Sequence, residues 1–207
     1  PGGAKKDLSA AQAKALLAKV RPRDTVGKAR RRVAAELIAD LERVYARKKA
    51  ADKELKELLA ATGTTLMDLH GIGPSGAARL LVEVGDITRF PNREHFASWN
   101  GTAPIDASSG DQVRHRLSRA GNRQINRTLH IMATVQLRND TEGRAYFDRR
   151  KRDGKTSMEA MRALKRRLSN IVYRTMLDDA VRASAASEVT GPGGQRGSDS
   201  DSSATGS

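Results

Sequence analysis

The longest periodic pattern in the chain lies between Lys28 and Ala61, and it restricts the fold more than any other feature of the sequence. Apolar residues recur there at alternating steps of three and four positions, interrupted only at Lys48: Val33, Leu37, Leu41, Val44, Ala51, Leu55 and Leu58. This spacing predicts a coiled-coil helix. At about 1.5 Å per residue such a helix is about 50 Å long, more than a small domain can cover. We therefore expect self-association through this stripe, with a helix folded back on its own domain as the alternative.

Composition indicates a nucleic-acid partner. The 207 residues carry a net charge of +14, which favours a polyanion over a small acidic substrate. The sequence has no long apolar run, so we expect no membrane span. It also has no cysteine, which excludes disulfides, thiolate zinc sites and cysteine catalysis. Aromatic residues make up only 3% of the chain, and Phe90, Phe96 and Trp99 are expected to pack in a small core rather than to stack on bases.

Changes in periodicity along the chain predict a mainly α-helical protein in four segments. The first segment is expected to be helical from Ser9 to Val20 and broken at Pro22. The last is too poor in apolar residues to offset the entropy of ordering, so we expect it to be disordered. The four segments are a connector (1–26), the coiled-coil helix (27–62), a compact helical domain (63–183) and the tail (184–207).

The compact domain opens with a pattern that resembles a helix-hairpin-helix, over residues 66–84. Gly71 and Gly73 allow the backbone to turn and to approach a ligand closely, and Pro74 suits the first position of the second helix. The unpaired N–H groups of that helix can bind a phosphate without reading sequence. A plain helical corner is the alternative.

A loop of small residues, predicted over 100–113, carries Ser108 and Ser109 and leads into the most one-sided charge of the chain. From Arg114 to Arg127 there are five arginines and one histidine, with no acidic residue. Exposed hydroxyls beside arginines can meet a phosphate. A simple Ser-Gly turn is the alternative.

A helix is predicted over residues 121–137, with Arg123 and Arg127 one turn apart on the same face. Asn122 and Asn126 stand beside them and add neutral donors. All four side chains could therefore grip successive phosphates of a nucleic acid. A solvated charged face is the alternative.

Basic residues also dominate two later stretches. Residues 146–154 are predicted to form a basic loop. A final helix, capped by Thr156 or Ser157, is expected to bury one apolar face and to present arginines and a lysine on the other. Within that basic run, Arg166 is a candidate contact to a nucleic-acid backbone.

Three blocks of sequence together resemble a known family. They are TTLMDLHGIGPSGAARLLVEVGDITRFPNREHFASWNGTAPIDASSG, HRLSRAGNRQINRTLHIMA and KRRLSNIVYRTML. From about Leu8 to Ala183, the chain resembles the C-terminal half of the DEDD-type insertion-sequence transposases, which are Piv-like, bridge-RNA-guided recombinases. In that family a RuvC-like carboxylate domain comes first, then a coiled coil, then a domain with a serine nucleophile. By position, the resemblance assigns that nucleophile to Ser109.

The resemblance implies DNA and a guide (bridge) RNA as partners, homo-oligomers through the coiled coil, and a bacterial, cytoplasmic, nucleoid-associated location. We expect the chain to begin after the carboxylate domain and therefore to be inactive alone and to hold no cofactor itself. Mg²⁺ is implied only together with the carboxylates of that domain. No cluster such as Glu83, Asp86 and Asp106 matches the family's acidic motif.

Two functions remain open from the sequence. The first is a transposase or site-specific recombinase in which Ser109 attacks a DNA phosphodiester, while Arg114, Arg116 and Arg119 stabilise charge on the phosphorus oxygens. The second is a non-catalytic nucleic-acid-binding remnant that dimerises and holds DNA or a guide RNA.

Overall fold

The computed structural model describes residues 7–106, 115–116 and 120–189. Within these residues the protein is mainly α-helical, as the sequence predicts. Two short helical turns of 3-10 geometry, Leu66–Asp68 and Ile87–Arg89, precede α3 and α4. The helices and strands are α1 Ala10–Lys19, α2 Thr25–Ala61, α3 Pro74–Val84, α4 Arg93–Trp99, β1 Ile105–Asp106, β2 His115–Arg116, α5 Arg123–Leu137, α6 Glu142–Arg152 and α7 Ser157–Val189.

The chain divides into two compact units, residues 1–62 with 73–78, and residues 63–72 with 79–207. In the first unit α1 packs on α2. The Lys14 Nζ lies 3.1 Å from a carboxylate oxygen of Glu42, and the Nε of Arg31 donates to the carbonyl of Val20 at 3.2 Å. The helix predicted in the connector is thus confirmed, and these contacts make it an antiparallel helical hairpin with α2.

The long helix α2 begins after its N-cap Asp24, whose side chain accepts from the backbone N–H of Gly27. The predicted apolar stripe remains largely open in the single chain. Val33, Leu37, Val44 and Leu58 are between 48% and 62% exposed. Partial cover by α1 therefore leaves an apolar face available along the helix, and self-association through it stays a prediction.

In the second unit, α7 is the central helix and packs against α4, α5 and α6. Its predicted apolar face is buried at Leu164, Leu168, Val172 and Met176, although Met158 is 67% exposed. Burial of this stripe against three neighbouring helices is the main stabilising contribution expected for the unit.

The aromatic residues cluster in this core, as predicted. The ring centroids of Phe90, Phe96 and Trp99 lie 5.1 to 5.9 Å apart. Tyr173 of α7 joins them, with its ring 5.7 Å from Phe96 and its hydroxyl donating to the carbonyl of Phe90 at 3.0 Å. The cluster fixes α4 against α7.

Two predicted boundaries are wrong. The stretch 146–154, expected to be a basic loop, lies mostly within α6, whose N-cap Thr141 accepts from the N–H of Arg144 at 3.1 Å. Arginine and lysine favour helices, and α6 continues to Arg152 before the chain turns at Gly154, where φ is +82°. The tail expected from residue 184 is still helical to Val189, because alanines and a glutamate continue α7.

None of the helices in the described ranges is long and apolar enough to cross a membrane.

Candidate nucleic-acid interface

The start of α5 carries two exposed arginines on one face of the helix. Arg123 and Arg127 are both exposed and stand one turn apart. Neither forms an ion pair with a carboxylate in the part of the chain that the structure describes. Guanidinium groups in this state can donate to phosphate oxygens without first breaking an ion pair in the protein.

Asn122 holds the beginning of the helix in place. Its Oδ1 accepts from the N–H groups of Gln124 and Ile125, each at 3.0 Å, and its Nδ2 donates to Glu83 of α3 at 2.7 Å. This is the usual work of an N-cap asparagine, with an added link to a second helix.

Asn126 is also engaged inside the protein. Its Nδ2 donates to the carbonyls of Asn100 and Gly101 at 3.0 and 3.1 Å, and its Oδ1 accepts from the Nζ of Lys165. Asn122 and Asn126 were expected to contact phosphates, but their amide groups are bonded within the protein. Their amide groups are used to build the site, which leaves the arginines to contact phosphates.

Gly101, near the start of the predicted serine loop, lies close to Gly121, which precedes α5. A Cβ on Gly121 would lie 2.6 Å from the carbonyl oxygen of Trp99, and one on Gly101 would lie 2.7 Å from that of Ala120. Both residues also have positive φ, at +71° for Gly101 and +92° for Gly121. Only glycine fits such a close approach, so the segment that carries the serines leaves and returns at one point beside α5.

The strands β1 and β2 continue from this point. They pair antiparallel, with Ile105 opposite Arg116 and Asp106 opposite His115. The backbone of Arg116 is thereby located in β2. Ser108, Ser109, Arg114 and Arg119 lie outside the described residues, so their predicted roles stay predictions.

Lys165 is a residue of this site whose burial the sequence analysis missed. It was expected on the basic face of α7, but the structure buries it to 8% exposure, with its Nζ donating to Asn126. Burial, and to a smaller extent the charge of Arg123, lowers the pKa of the Lys165 ammonium. The sequence spacing could have indicated this burial, because Lys165 stands three residues before Leu168 and seven before Val172, on the apolar face of the helix.

Arg166, a predicted contact to nucleic acid, is used instead to join α7 to α4. Its guanidinium donates to the carbonyl of Arg93 at 3.3 Å and to Asn170, and lies 3.5 Å from a carboxylate oxygen of Glu94. Its side chain is only 22% exposed, and burial lowers its pKa. We therefore correct the expectation for Arg166, since its donors are occupied by the protein.

The predicted hairpin differs from its expected form. Its first arm is a single 3-10 turn, Leu66–Asp68, instead of an α-helix. Gly71 has φ +96°, and a Cβ there would lie 2.9 Å from the carbonyl oxygen of Met132, so this glycine is required by the turn and by packing on α5. The carbonyl of Gly73 accepts from the N–H groups of Gly76 and Ala77, at 2.9 and 3.0 Å, and so starts α3.

No metal site is found among the residues with described positions, where no three His, Asp or Glu side chains lie close enough together to hold an ion. Glu83 is occupied by Asn122, and Asp86 accepts from the hydroxyl of Thr88 at 2.7 Å. Glu83 and Asp86 therefore do not fit a magnesium centre.

Part of the second unit matches a known protein family. Residues 63–148, which include the start of α5 and both glycines, match the model of a transposase family. The chain therefore carries a transposase domain. That family is described as the Transposase IS116/IS110/IS902 family, and the domain is of this type.

Similar proteins come from mobile elements and gene inversion. An "Insertion element IS110 uncharacterized 43.6 kDa protein" of Streptomyces coelicolor is 34% identical over 149 residues, which are 70% of this chain and 37% of that protein. An "Insertion element IS900 uncharacterized 42 kDa protein" of Mycobacterium paratuberculosis is 32% identical over 56% of this chain and 30% of its own. A "Pilin gene-inverting protein" of Moraxella bovis is 29% identical, over 52% and 34%. The chain thus spans about a third of the length of these relatives.

Proposed function

We propose that this chain is the C-terminal, DNA-binding portion of a transposase or site-specific recombinase that acts in DNA transposition. The observation that carries the proposal is the exposed pair Arg123 and Arg127 at the start of α5, which forms no ion pair with a carboxylate among the described residues. The pair lies in the part of the chain that matches the transposase family. It also stands next to Asn126, which anchors the start of the segment carrying Ser109.

The proposed chemistry is a transesterification by Ser109. The Oγ of the serine forms a bond to the phosphorus of a DNA phosphodiester, the bond from phosphorus to the leaving sugar oxygen breaks, and that oxygen takes up a proton. The serine proton passes to a base or to solvent. Arg114, Arg116 and Arg119 receive the negative charge that develops on the phosphorus oxygens. Rejoining reverses these steps with a different DNA end.

The geometry around Gly101 and Gly121 supports a fixed base for this segment. A serine is a useful nucleophile only when its position and its surroundings are controlled. The close approach of the two glycines and the two hydrogen bonds from Asn126 hold both ends of the segment against α5. Any magnesium that the reaction needs would be held by carboxylates outside the described residues.

DNA binding by the arginine pair can be tested by salt dependence. Replacing Arg123 and Arg127 together with glutamine should lower the slope of log Kd against log salt by about 1.8, because about two phosphate contacts are lost. Fluorescence anisotropy with a labelled duplex measures this slope. The replacement Lys49→Gln together with Lys151→Gln removes the same charge at exposed positions and serves as the control. If both pairs change the slope equally, the start of α5 is only part of a diffuse positive surface.

A second function remains supported, that of a non-catalytic module which dimerises and holds DNA or a guide RNA. The exposed apolar stripe of α2 favours it, since that surface suits association and requires no chemistry. The same anisotropy measurement with a structured RNA in place of the duplex tests RNA binding. Tighter binding of RNA than of duplex DNA, without any covalent product, would favour this second function.

A further inference from the structure

Lys165 is a buried cation that lies beside no acidic side chain among the residues with described positions. Its side chain is 8% exposed, and its hydrogen-bond acceptor is the neutral Oδ1 of Asn126. It forms no ion pair with any described residue. Burial lowers the pKa of the Lys165 ammonium, and the positive charge of Arg123 lowers it further.

The two basic residues that follow Lys165 in α7 each lie near a carboxylate. Arg166 lies 3.5 Å from Glu94, and Arg167 lies 3.7 Å from Glu142. Burying an ammonium without a carboxylate is unfavourable, and a second cation nearby adds repulsion. The hydrogen bond to Asn126 offsets only part of this cost, because the acceptor is neutral. An anion that arrives at this place would remove the repulsion.

We propose that Lys165 is a positioning residue of a phosphate-binding site at the start of α5. It acts in two ways. Its charge lies in a region that water screens poorly, so it raises the positive potential at the surface where Arg123 and Arg127 are exposed. Its hydrogen bond fixes Asn126, and Asn126 in turn holds the carbonyls of Asn100 and Gly101. The ligand is a phosphodiester of a nucleic-acid backbone, and in this the inference rests on the proposed function.

The test compares Lys165→Met, which removes the charge and keeps the length, with Lys165→Arg, which keeps the charge. Lys151→Met is the matched control, because Lys151 is exposed on α6. We expect Lys165→Met to bind a duplex at least tenfold more weakly than the wild type, Lys165→Arg to recover most of that loss, and the control to bind within about twofold of the wild type. The Tm of Lys165→Met without DNA should stay within a few degrees of the wild type.

The salt dependence of the loss in DNA affinity distinguishes the buried lysine from the exposed arginines. Between 50 and 200 mM salt, the loss caused by Arg123→Gln should shrink by about 3.5-fold, because one released counterion contributes a slope near 0.9. The loss caused by Lys165→Met should stay constant, since a buried charge that does not itself pair with a phosphate releases no counterion from the DNA and is screened less than a surface charge. Inorganic pyrophosphate in place of DNA shows whether an isolated phosphate is enough: it should raise the Tm of the wild type more than that of Lys165→Met.

Three results would overturn the inference. They are unchanged DNA binding by Lys165→Met, a salt dependence of its loss equal to that of Arg123→Gln, or a large drop in its Tm, which would assign Lys165 to the fold. A failure of the proposed function has a different signature, because then the Arg123 and Arg127 replacements would also leave DNA binding unchanged.

Discussion

At Gly101 and Gly121 two stretches of backbone approach more closely than any side chain allows. A Cβ added at Gly121 would lie 2.6 Å from the opposing carbonyl oxygen, and φ there is +92°. Gly85 has positive φ too, at +61°, but a Cβ on it would meet nothing within 4 Å. A side chain at Gly85 would meet only the strain of positive φ, whereas one at Gly121 would meet the same strain and a clash.

Replacing Gly121 with alanine should lower the free energy of unfolding by about 3 kcal/mol, from strain and from the clash with Trp99. Gly85→Ala should cost only about 1 kcal/mol, the contribution of positive φ alone. Urea denaturation of the two variants measures both values. Equal costs would show that the contact between the two ends of the serine segment does not stabilise the protein.

Lys165 predicts a pH dependence of stability. Its pKa in the folded protein lies below the ordinary 10.5, first because of burial and second because of Arg123. Between the lowered pKa and 10.5 the unfolded chain binds a proton that the folded protein does not, so the free energy of unfolding rises with pH. From about pH 8 to about pH 10 this rise should be smaller in Lys165→Met than in the wild type. Urea denaturation of both proteins at the two pH values measures this rise in the free energy of unfolding. An identical rise in the wild type and in Lys165→Met would contradict the lowered pKa.

Among the elements, α2 has the surface with the most open apolar area. Leu37 is 62% exposed and Val44 is 57% exposed, although both belong to the predicted heptad stripe. Covering the exposed part of each of these side chains in a partner would contribute about 1 to 2 kcal/mol. A second copy of the chain offers the same stripe, and a heptad pattern matches its own repeat.

We expect the chain to self-associate through this face, and Leu37→Glu with Val44→Glu to convert the oligomer to monomer. Both side chains are exposed in the single chain, so the double variant should keep its helical circular-dichroism signal. Sedimentation equilibrium gives the mass. Ala46→Glu, which places a charge on the opposite side of α2, is the control. A wild-type chain that stays monomeric at high concentration would contradict the prediction.

The elements also show what the sequence could and could not predict. The end of α5 at Leu137 and most of the apolar face of α7 follow from helical periodicity and are confirmed, although α5 begins at Arg123 rather than at Gly121. The basic stretch in α6 has no apolar stripe, so periodicity gave no sign of a helix there. The roles of Asn126 and Lys165 depend on partners 26 and 39 residues away, and local pattern carries no information about such contacts.

At the scale of the whole molecule, the two units present different surfaces. The unit that contains α2 has an exposed apolar stripe suited to self-association. The other unit has two exposed arginines at the start of α5, and neither pairs with a carboxylate in the described part of the chain. An enzyme that cuts and rejoins DNA needs both properties, because it must hold more than one DNA end while it exchanges strands. The proposed transposase function therefore explains why one chain carries both an apolar stripe and exposed arginines.

The most direct test of that function is the covalent link between Ser109 and DNA. A suicide DNA substrate, offered with Mg²⁺ and a separately supplied carboxylate domain of the same family, should become attached to the chain through a phosphoserine linkage, detected by mass spectrometry. Ser109→Ala should abolish the adduct and leave DNA binding nearly unchanged, because affinity depends mainly on phosphate contacts. Ser108→Ala should retain much of the adduct. An adduct that survives in Ser109→Ala would contradict the assignment of the nucleophile.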